Sequence, residues 1–546
     1  MKPKIQIRLL SSLSKVFPGD PLADKAVASA SALRGEVFSF QLAVRSEMHV
    51  KEATLTVRSG LERVLRVRRV GLAPCELPFI HWDEGMIRRE AGLYPDPLLD
   101  FIDGKFPLFP GQWRALWITV DLPKAVKAGV YPIDLSVTAG EAKTETARFT
   151  LKVLDAVLPA QTLLQTQWFH ADCLAVHYRA PVLSEAWWGH VGRYMKNAAA
   201  HGINMILTPL FTPPLDTRVG GERPTVQLVG VEKNGSRYHF DFSALKQWIE
   251  LALASGLTTF EMSHLFTQWG AGFAPKIVVT EKGVPKKLFG WHTPAMDKPY
   301  QDFLAQFLPA LVHFIYRAGI RDQVYFHVSD EPGLAHLEAY KAAAASLAKH
   351  LADFPVIDAL SSIEFYRTGA VKRPVPSNNH IEDFVEAGVP GLWTYYCVSQ
   401  WKKVPNRYFN MPSSRNRILG FLLWKYKIEG FLHWGFNFWH AQYSVRSVNP
   451  FENTDAGFGF PSGDSFLVYP GEEGPVDSLR HEVHREGLQD MRALQLLEKK
   501  LGRDKTLAFL ERGLKKPLSM EEYPRDTAWL LSTRERINKE LEKILK

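Results

Sequence analysis

Val324-Tyr-Phe-His-Val-Ser-Asp-Glu-Pro332 runs an apolar strand into two adjacent carboxylates. Pro332 ends the strand, and Gly333 opens an Ala-rich helix near Leu334–His350. A strand handing over to a helix is the repeating unit of parallel α/β folds. From about Leu163 onward the chain repeats it. Strands are expected at Leu163–His170, Ile203–Thr208, Thr258–Leu265, Gln323–Ser329, Pro355–Leu360, Gly391–Cys397, Gly430–Asn437 and Ser465–Tyr469. Helices are expected near Ser184–His201, Phe242–Ser255, Tyr300–Ala318, Ser413–Ile428 and Ser478–Leu501. Eight strands, mostly with a following helix, predict a TIM-like (β/α)8 barrel with Asp330 and Glu331 at the tip of its fourth strand. The loops after the second, third and seventh strands are long, and such loops build barrel active sites.

Upstream, residues 1 to about 155 read differently. Short alternating runs such as Glu36–Arg45, Ala115–Leu122 and Ala147–Leu154 are punctuated by Gly, Pro and Asp, with no long helical period between them. This predicts a β-sandwich. The fold class is therefore α/β plus all-β, with an N-terminal sandwich over 1–158, a catalytic barrel over 159–502 and a helical tail over 503–546. The basic run Arg63–Arg69, alternating with Val and Leu, is expected to be the wet face of a strand.

Composition narrows the function. The 546 residues are 46% hydrophobic and 23% charged, as in ordinary globular proteins. Lys+Arg is 66 against 58 Asp+Glu, a net +8 spread over a long chain, so no nucleic-acid partner is expected. Cys75, Cys173 and Cys397 lie far apart and read as buried thiols rather than a disulfide framework. The N-terminus shows no continuous apolar signal segment, which predicts a cytoplasmic protein. The most apolar stretch, Gly420–Trp439, is broken by Lys425, Lys427 and Glu429, so no membrane span is expected. No phosphate-cradling glycine loop and no G-x-S-x-G elbow occurs. His481-Glu-Val-His484 has the wrong spacing for a zincin and reads as a solvated helix; no metal or organic cofactor is expected.

The chemistry gathers at the strand tips. Two adjacent carboxylates push one pKa up, and a protonated acid beside an ionised partner is what a glycosidase acid requires. The competing reading makes Asp330 or Glu331 the cap of the following helix. Around them stand Trp168, Asp172, Glu261, His264, Asp358, Trp393, Tyr395, Trp434, Asn437 and Trp439, and 11 of the 15 tryptophans lie between 156 and 500. Indole faces stack on sugar C–H faces while acids, Asn and His bind hydroxyls.

His327-Val-Ser-Asp-Glu-Pro332 resembles the Asp-Glu-Pro signature of glycoside hydrolase family 123. So do Trp168-Phe-His170, His201–Asn204, Thr208–Asp216, His264–Gly270, Phe289-Gly-Trp291 and Trp434–Trp439, together with Tyr469-Pro-Gly471, Ser478-Leu-Arg480 and Arg485–Asp490 in the tail. The resemblance covers nearly the whole chain. It implies a retaining, exo-acting β-N-acetylgalactosaminidase, or more broadly a β-N-acetylhexosaminidase, that cleaves a terminal 2-acetamido sugar by substrate-assisted catalysis. Carried over residue by residue, Glu331 is the general acid/base and Asp330 orients the substrate acetamide and stabilises the oxazolinium intermediate. Tyr395 is expected to bind the acetamido oxygen. Trp393, Trp434 and Trp439 are expected to wall the sugar, with Asn437, His264, Glu261, Asp172 and Trp168 as further substrate contacts. Two alternatives stay open: a two-carboxylate glycosidase with Glu261, Asp358 or Glu364 as nucleophile, and an inactive carbohydrate-binding barrel. Oligomeric state is not readable from the residues.

Overall fold

The structure is a computed structural model that describes residues 3–83, 85–140 and 143–545. Ten strands ending at Val157 make two five-stranded sheets. One orders Ile5–Ser11, Val37–Ser46, Trp113–Asp121, Leu65–Cys75 and Gly92–Asp100; the other orders Ser29–Arg34, Glu145–Val157, Gly129–Thr138, Val50–Ser59 and Lys105–Leu108. Phe40, Leu42, Leu116, Ile118, Leu135 and Leu151 fill the space between them, with Phe40 stacked on Phe149 at 4.2 Å.

Alternation along Trp113–Asp121 explains why this sheet has two dry faces. Leu116, Ile118 and Val120 point into the sandwich, while Trp113, Ala115 and Trp117 join the core of the following α/β unit. The basic strand corrects an expectation for the same reason. Arg66 is exposed, but Arg68 is buried under the α/β unit, donating to Asp477 at 2.6 Å and Glu482 at 2.5 Å. His481 and His484, expected on a solvated helix, are also buried on Leu479–Leu501, but inside the α/β unit: His481 stacks on His201 at 3.7 Å, and His484 hydrogen-bonds the Gln165 side chain at 2.9 Å. Cys75, Cys173 and Cys397 are free and buried.

Beyond the sandwich, six parallel strands form one sheet in the order Val324–Tyr325, Thr259–Met262, Met205–Thr208, Leu164–Gln167, Gly430–His433 and Trp393–Tyr395. Two more parallel strands, Ile357–Leu360 and Arg373–Pro376, pair with each other and reach this sheet through single bridges at Phe326–Val356 and Ser377–Tyr395. The regular ladder is thus a six-stranded arc rather than one continuous ring. Ser465–Tyr469, expected as the eighth strand, lies outside it: Val468–Pro470 pairs antiparallel with Pro475–Asp477. Arg373-Pro-Val-Pro376 is the parallel strand missed, because two prolines without N–H groups demote a run to non-strand in pattern reading. Also unexpected is a four-stranded sheet of Arg237–Asp241, Gly230–Asn234, Ile277–Glu281 and Val284–Phe289, built on the long loops.

Helices Glu185–Ala200, Ser243–Ser255, Lys298–Arg317, Leu337–Leu351 and Leu479–Leu501 follow the strands. Ser184 and Ser478 cap two of them, each accepting from the N–H three residues on. Leu479–Leu501 approaches Leu419–Lys425 so closely that a Cβ on Gly420 would stand 1.8 Å from Gly487 O. The last helix, Thr527–Leu545, turns back onto the sandwich: Asn538 donates to Ser31 O, and Glu535 accepts from Ser31 N–H and Oγ. Among the described residues no helix is long and apolar enough to cross a membrane.

Candidate active site

The strand carrying the two acids is regular only over Val324–Tyr325. Past Phe326 the chain bends, and Glu331 takes φ +44°, a left-handed conformation that costs a non-glycine residue about 1–3 kcal/mol. Hydrogen bonds hold the bend. Glu331 N–H donates to Ala359 O at 3.1 Å, and Trp269 N–H donates to Asp330 O at 2.7 Å. Neither carboxylate caps a helix: the short turn at Leu334–His336 starts from Gly333, and the α-helix starts after His336.

Asp330 and Glu331 instead line a cleft of about 640 Å³ together with Trp168, Leu215, Asp216, Gln268, Trp269, Tyr395, Cys397, Trp434 and Phe460. The Tyr395 hydroxyl donates to Glu331 Oε1 at 2.6 Å, and the Cys397 thiol reaches the same oxygen at 3.8 Å. Burial pushes both the Tyr395 hydroxyl and the Cys397 thiol well above their ordinary ranges, so both keep their protons. Burial first, and then repulsion from Glu331, holds Asp330 well above the usual carboxylate range. Trp434 is fixed by its Nε1–H donating to Asp464 Oδ2 at 2.9 Å and by edge contact with Phe460 at 5.0 Å. Burial pushes Asp464 up to about 7.

The three long loops supply the walls. Leu215 and Asp216 come from the loop after Met205–Thr208, Gln268 and Trp269 from that after Thr259–Met262, and Trp434 and Phe460 from that after Gly430–His433. Asp216 knits them together. Its N–H donates to Gln268 Oε1 at 2.6 Å, and its Oδ2 accepts from Tyr443 N–H at 2.9 Å. Burial raises Asp216 to about 6. Trp269, 42% exposed, stands edge-on to Tyr443 at 6.1 Å at the mouth of the cleft.

Of the residues expected at the site, Asp330, Glu331, Tyr395, Trp168 and Trp434 meet in this cleft. Six expected substrate contacts do not line it. Trp393 is 1% exposed and packs against Tyr325, in the core beneath the six-stranded sheet. Trp439 is equally buried, its Nε1–H donating to Val468 O. Asn437 clamps the backbone of His170 through both side-chain atoms. Asp172 is taken by Arg223 at 2.8 Å and His440 at 3.0 Å, which hold it low against the opposing effect of burial. Glu261 is fully buried, accepting from Trp168 Nε1–H at 2.7 Å, Thr166 Oγ at 2.5 Å and His327 Nε2 at 2.6 Å. His264 stacks on His327 at 4.2 Å beneath Trp168, and burial keeps it neutral. Tips of short, tightly wound strands also point into the core, so an aromatic or acid near a tip need not face the cleft.

Missed at the sequence level were Asp216, Gln268, Trp269, Cys397 and Phe460. Asp216 and Trp269 sit within the segments Thr208–Asp216 and His264–Gly270, whose place on two of the long loops was the available signal. Among the described residues three buried groups bring His, Cys or carboxylate ligand atoms within 4.8 Å: Asp172/Cys173/His440, His201/Asp477/His481 and His264/His327/Asp358. Their carboxylates are already engaged by Arg223, Arg68 and Tyr340 respectively, and none of these residues lines the cleft.

A family model described as glycoside hydrolase 123, catalytic domain, matches residues 168–497, well over half the chain. Comparison with curated proteins finds no match. Among solved structures, a family 123 glycoside hydrolase from Clostridium perfringens, studied for glycolipid glycan hydrolysis, is 16% identical with TM-score 0.77, over 99% of this chain and 98% of that one. At this identity the likeness speaks for the fold. A family 5 mannosidase from Rhizomucor miehei, 12% identical over 64% of this chain and 96% of its own, has TM-score 0.34, too low to bear on this architecture. The family match spans the acid pair and all three loops that wall its cleft: this chain belongs to glycoside hydrolase family 123.

Proposed function

We propose that this glycosidase is an exo-acting, retaining β-N-acetylhexosaminidase, with terminal β-linked N-acetylgalactosamine as its preferred sugar, and that the substrate's acetamido group serves as nucleophile. The observation that carries the reading is the adjacency of Asp330 and Glu331 in one aromatic-walled cleft, with Asp330 driven above its ordinary range by burial and by its neighbour. The pair favours holding one proton. A substrate acetamide N–H donating to Asp330 stabilises its ionised form and leaves that proton on Glu331. Glu331 then protonates the glycosidic oxygen while the acetamido oxygen closes on the anomeric carbon. Asp330 balances the charge of the oxazolinium, and Glu331 takes a proton from the water that opens it. Tyr395, hydrogen-bonded to Glu331 Oε1, fixes which oxygen faces the leaving group. Trp168 and Trp434 wall the sugar and acetamide.

The three acids named above for a two-carboxylate mechanism are turned away: Glu261 and Asp358 are fully buried, and Glu364 lies outside the cleft, paired with Arg367. Asp216 does line the cleft, and that observation keeps a two-carboxylate reading as the second choice. A thiazoline analogue of the oxazolinium separates them. Tight competitive inhibition supports the acetamido mechanism; a covalent glycosyl adduct on Asp216 contradicts it. In this reading residues 159–502 are the catalytic unit, and the eight strands act as a (β/α)8 ring completed through the Phe326–Val356 and Ser377–Tyr395 bridges. The neighbouring structure's action on glycolipid glycans makes glycolipid headgroups reasonable substrates to assay first.

A further inference from the structure

An ionic chain runs beneath the cleft. His327 precedes Asp330 by three residues. Its Nε2 faces Glu261 Oε1 at 2.6 Å and its Nδ1 faces Asp358 Oδ1 at 3.0 Å. All three side chains are fully buried. Because each ring nitrogen faces a carboxylate oxygen, both must carry protons, and the ring is an imidazolium. Burial alone would lower its pKa; the hydrogen bonds it donates to Asp358 and Glu261 outweigh that and raise it to about 10. The remaining carboxylate oxygens accept from neutral donors: Glu261 Oε2 from the Thr166 hydroxyl, and Asp358 Oδ2 from the Tyr340 hydroxyl and Val328 N–H, which is shared with Oδ1. Among the described residues no arginine or lysine pairs with either acid. Burial pushes the Asp358 carboxyl above its ordinary range. Yet every hydrogen bond that either acid makes is one it accepts, the pattern of two ionised carboxylates, which with one imidazolium leave a net charge of −1 in a dry interior.

Both ends of this chain touch the cleft wall. Glu261 holds the indole N–H of Trp168, which lines the cleft. Asp358 is followed by Ala359, which lines the cleft and whose carbonyl accepts the Glu331 N–H. Glycosidic bond cleavage develops positive charge at the anomeric centre. A fixed charge in low dielectric acts on such a centre without reorganising, which is the most effective kind of electrostatic catalysis.

We infer that Glu261 and Asp358, bridged by His327, form a buried counter-charge that stabilises the cationic transition state from beneath the sugar, as positioning and field-setting residues that do not touch substrate. This rests on the glycosidase reading of the cleft. Asp358 and Glu261 push Asp330 up while the His327 imidazolium pulls it down, so all three lie within electrostatic reach of the acid pair.

The test uses Glu261→Gln and Asp358→Asn in the full chain. Each amide can keep the existing geometry. The Gln oxygen accepts from Trp168 and His327 while its NH₂ donates to Thr166; the Asn oxygen accepts from His327 and Val328 while its NH₂ donates to Tyr340. Only a charge is lost. Turnover of a nitrophenyl 2-acetamido-2-deoxy-β-glycoside is measured alongside binding of a protonated piperidine iminosugar and of its uncharged lactam. The expected result is kcat down about tenfold or more with KM within about twofold. Iminosugar binding should weaken by a similar factor and lactam binding should hold. Should one variant fail to fold, the other removes the same sign of charge from the opposite side of His327. An unchanged kcat, or equal weakening of both ligands, overturns the inference. A wild-type enzyme that cleaves only 2-hydroxy glycosides overturns the sugar assignment instead; the counter-charge is then judged with that sugar's own iminosugar and lactam.

Discussion

Tyr395 donates its hydroxyl proton to Glu331 Oε1 at 2.6 Å, linking a strand end of the six-stranded sheet to a glutamate in left-handed backbone conformation. The bond decides which Glu331 oxygen stays free. Tyr395→Phe should lower kcat by about 10- to 100-fold, the value of a hydrogen bond to a charged group, while the melting temperature changes little. Steady-state kinetics with a thermal melt checks this; a variant with wild-type kcat would make the contact structural only.

Glu331→Gln removes the proton donor. The loss should be about 10²–10⁴-fold on substrates with poor leaving groups and smaller on nitrophenyl glycosides, which need less protonation. Equal losses across a series of leaving groups would count against the acid role.

Asp330→Asn keeps the size of the side chain but not its charge. Since neither acid caps a helix, stability should hold, while kcat falls by about 10²–10³ as a transition-state contact is lost. A thermal melt and kcat on an N-acetyl-β-hexosaminide decide it; kcat within about threefold of wild type sinks the assignment.

Asp464, which holds Trp434, predicts a pH signature of stability. Burial raises its folded pKa to about 7, so between the unfolded value and pH 7 the folded state binds more protons than the unfolded one. Stability attributable to this group therefore falls as pH rises through that window and levels off above it. Asp464→Asn removes the titration. Relative to wild type, the variant should gain up to about 1.4 kcal/mol per pH unit between roughly pH 4 and 7. Denaturant unfolding at several pH values tests this; a stability difference independent of pH contradicts it.

Much of this was legible in the residues. The sandwich strands, the strand–helix alternation and the position of Asp330-Glu331 followed from hydrophobic periods and breakers. Arg373–Pro376 was not, because its prolines erase the strand pattern that its neighbours complete in space. Arg68 and His481 show a second limit. Arg68 is buried where the sandwich docks onto the α/β unit, and His481 where its helix packs on His201 and Phe436, and no local pattern encodes a docked face. At the site, Trp393 and Trp168 both lie on or just past strand ends, yet one fills the core and the other faces the cleft. Side-chain direction there depends on strand length and sheet stagger, which spacing alone does not resolve. Trp269 and Asp216 arrive on long loops that only the folded chain brings together.

The central claim is that the substrate's own acetamide is the nucleophile. A series of nitrophenyl β-glycosides carrying acetamido, monofluoro-, difluoro- and trifluoroacetamido groups at C2 tests it most directly, because each fluorine withdraws electrons from the attacking oxygen and leaves the leaving group unchanged. The account predicts that kcat falls steeply and monotonically along the series. A kcat indifferent to fluorination would contradict it and place the nucleophile on the protein.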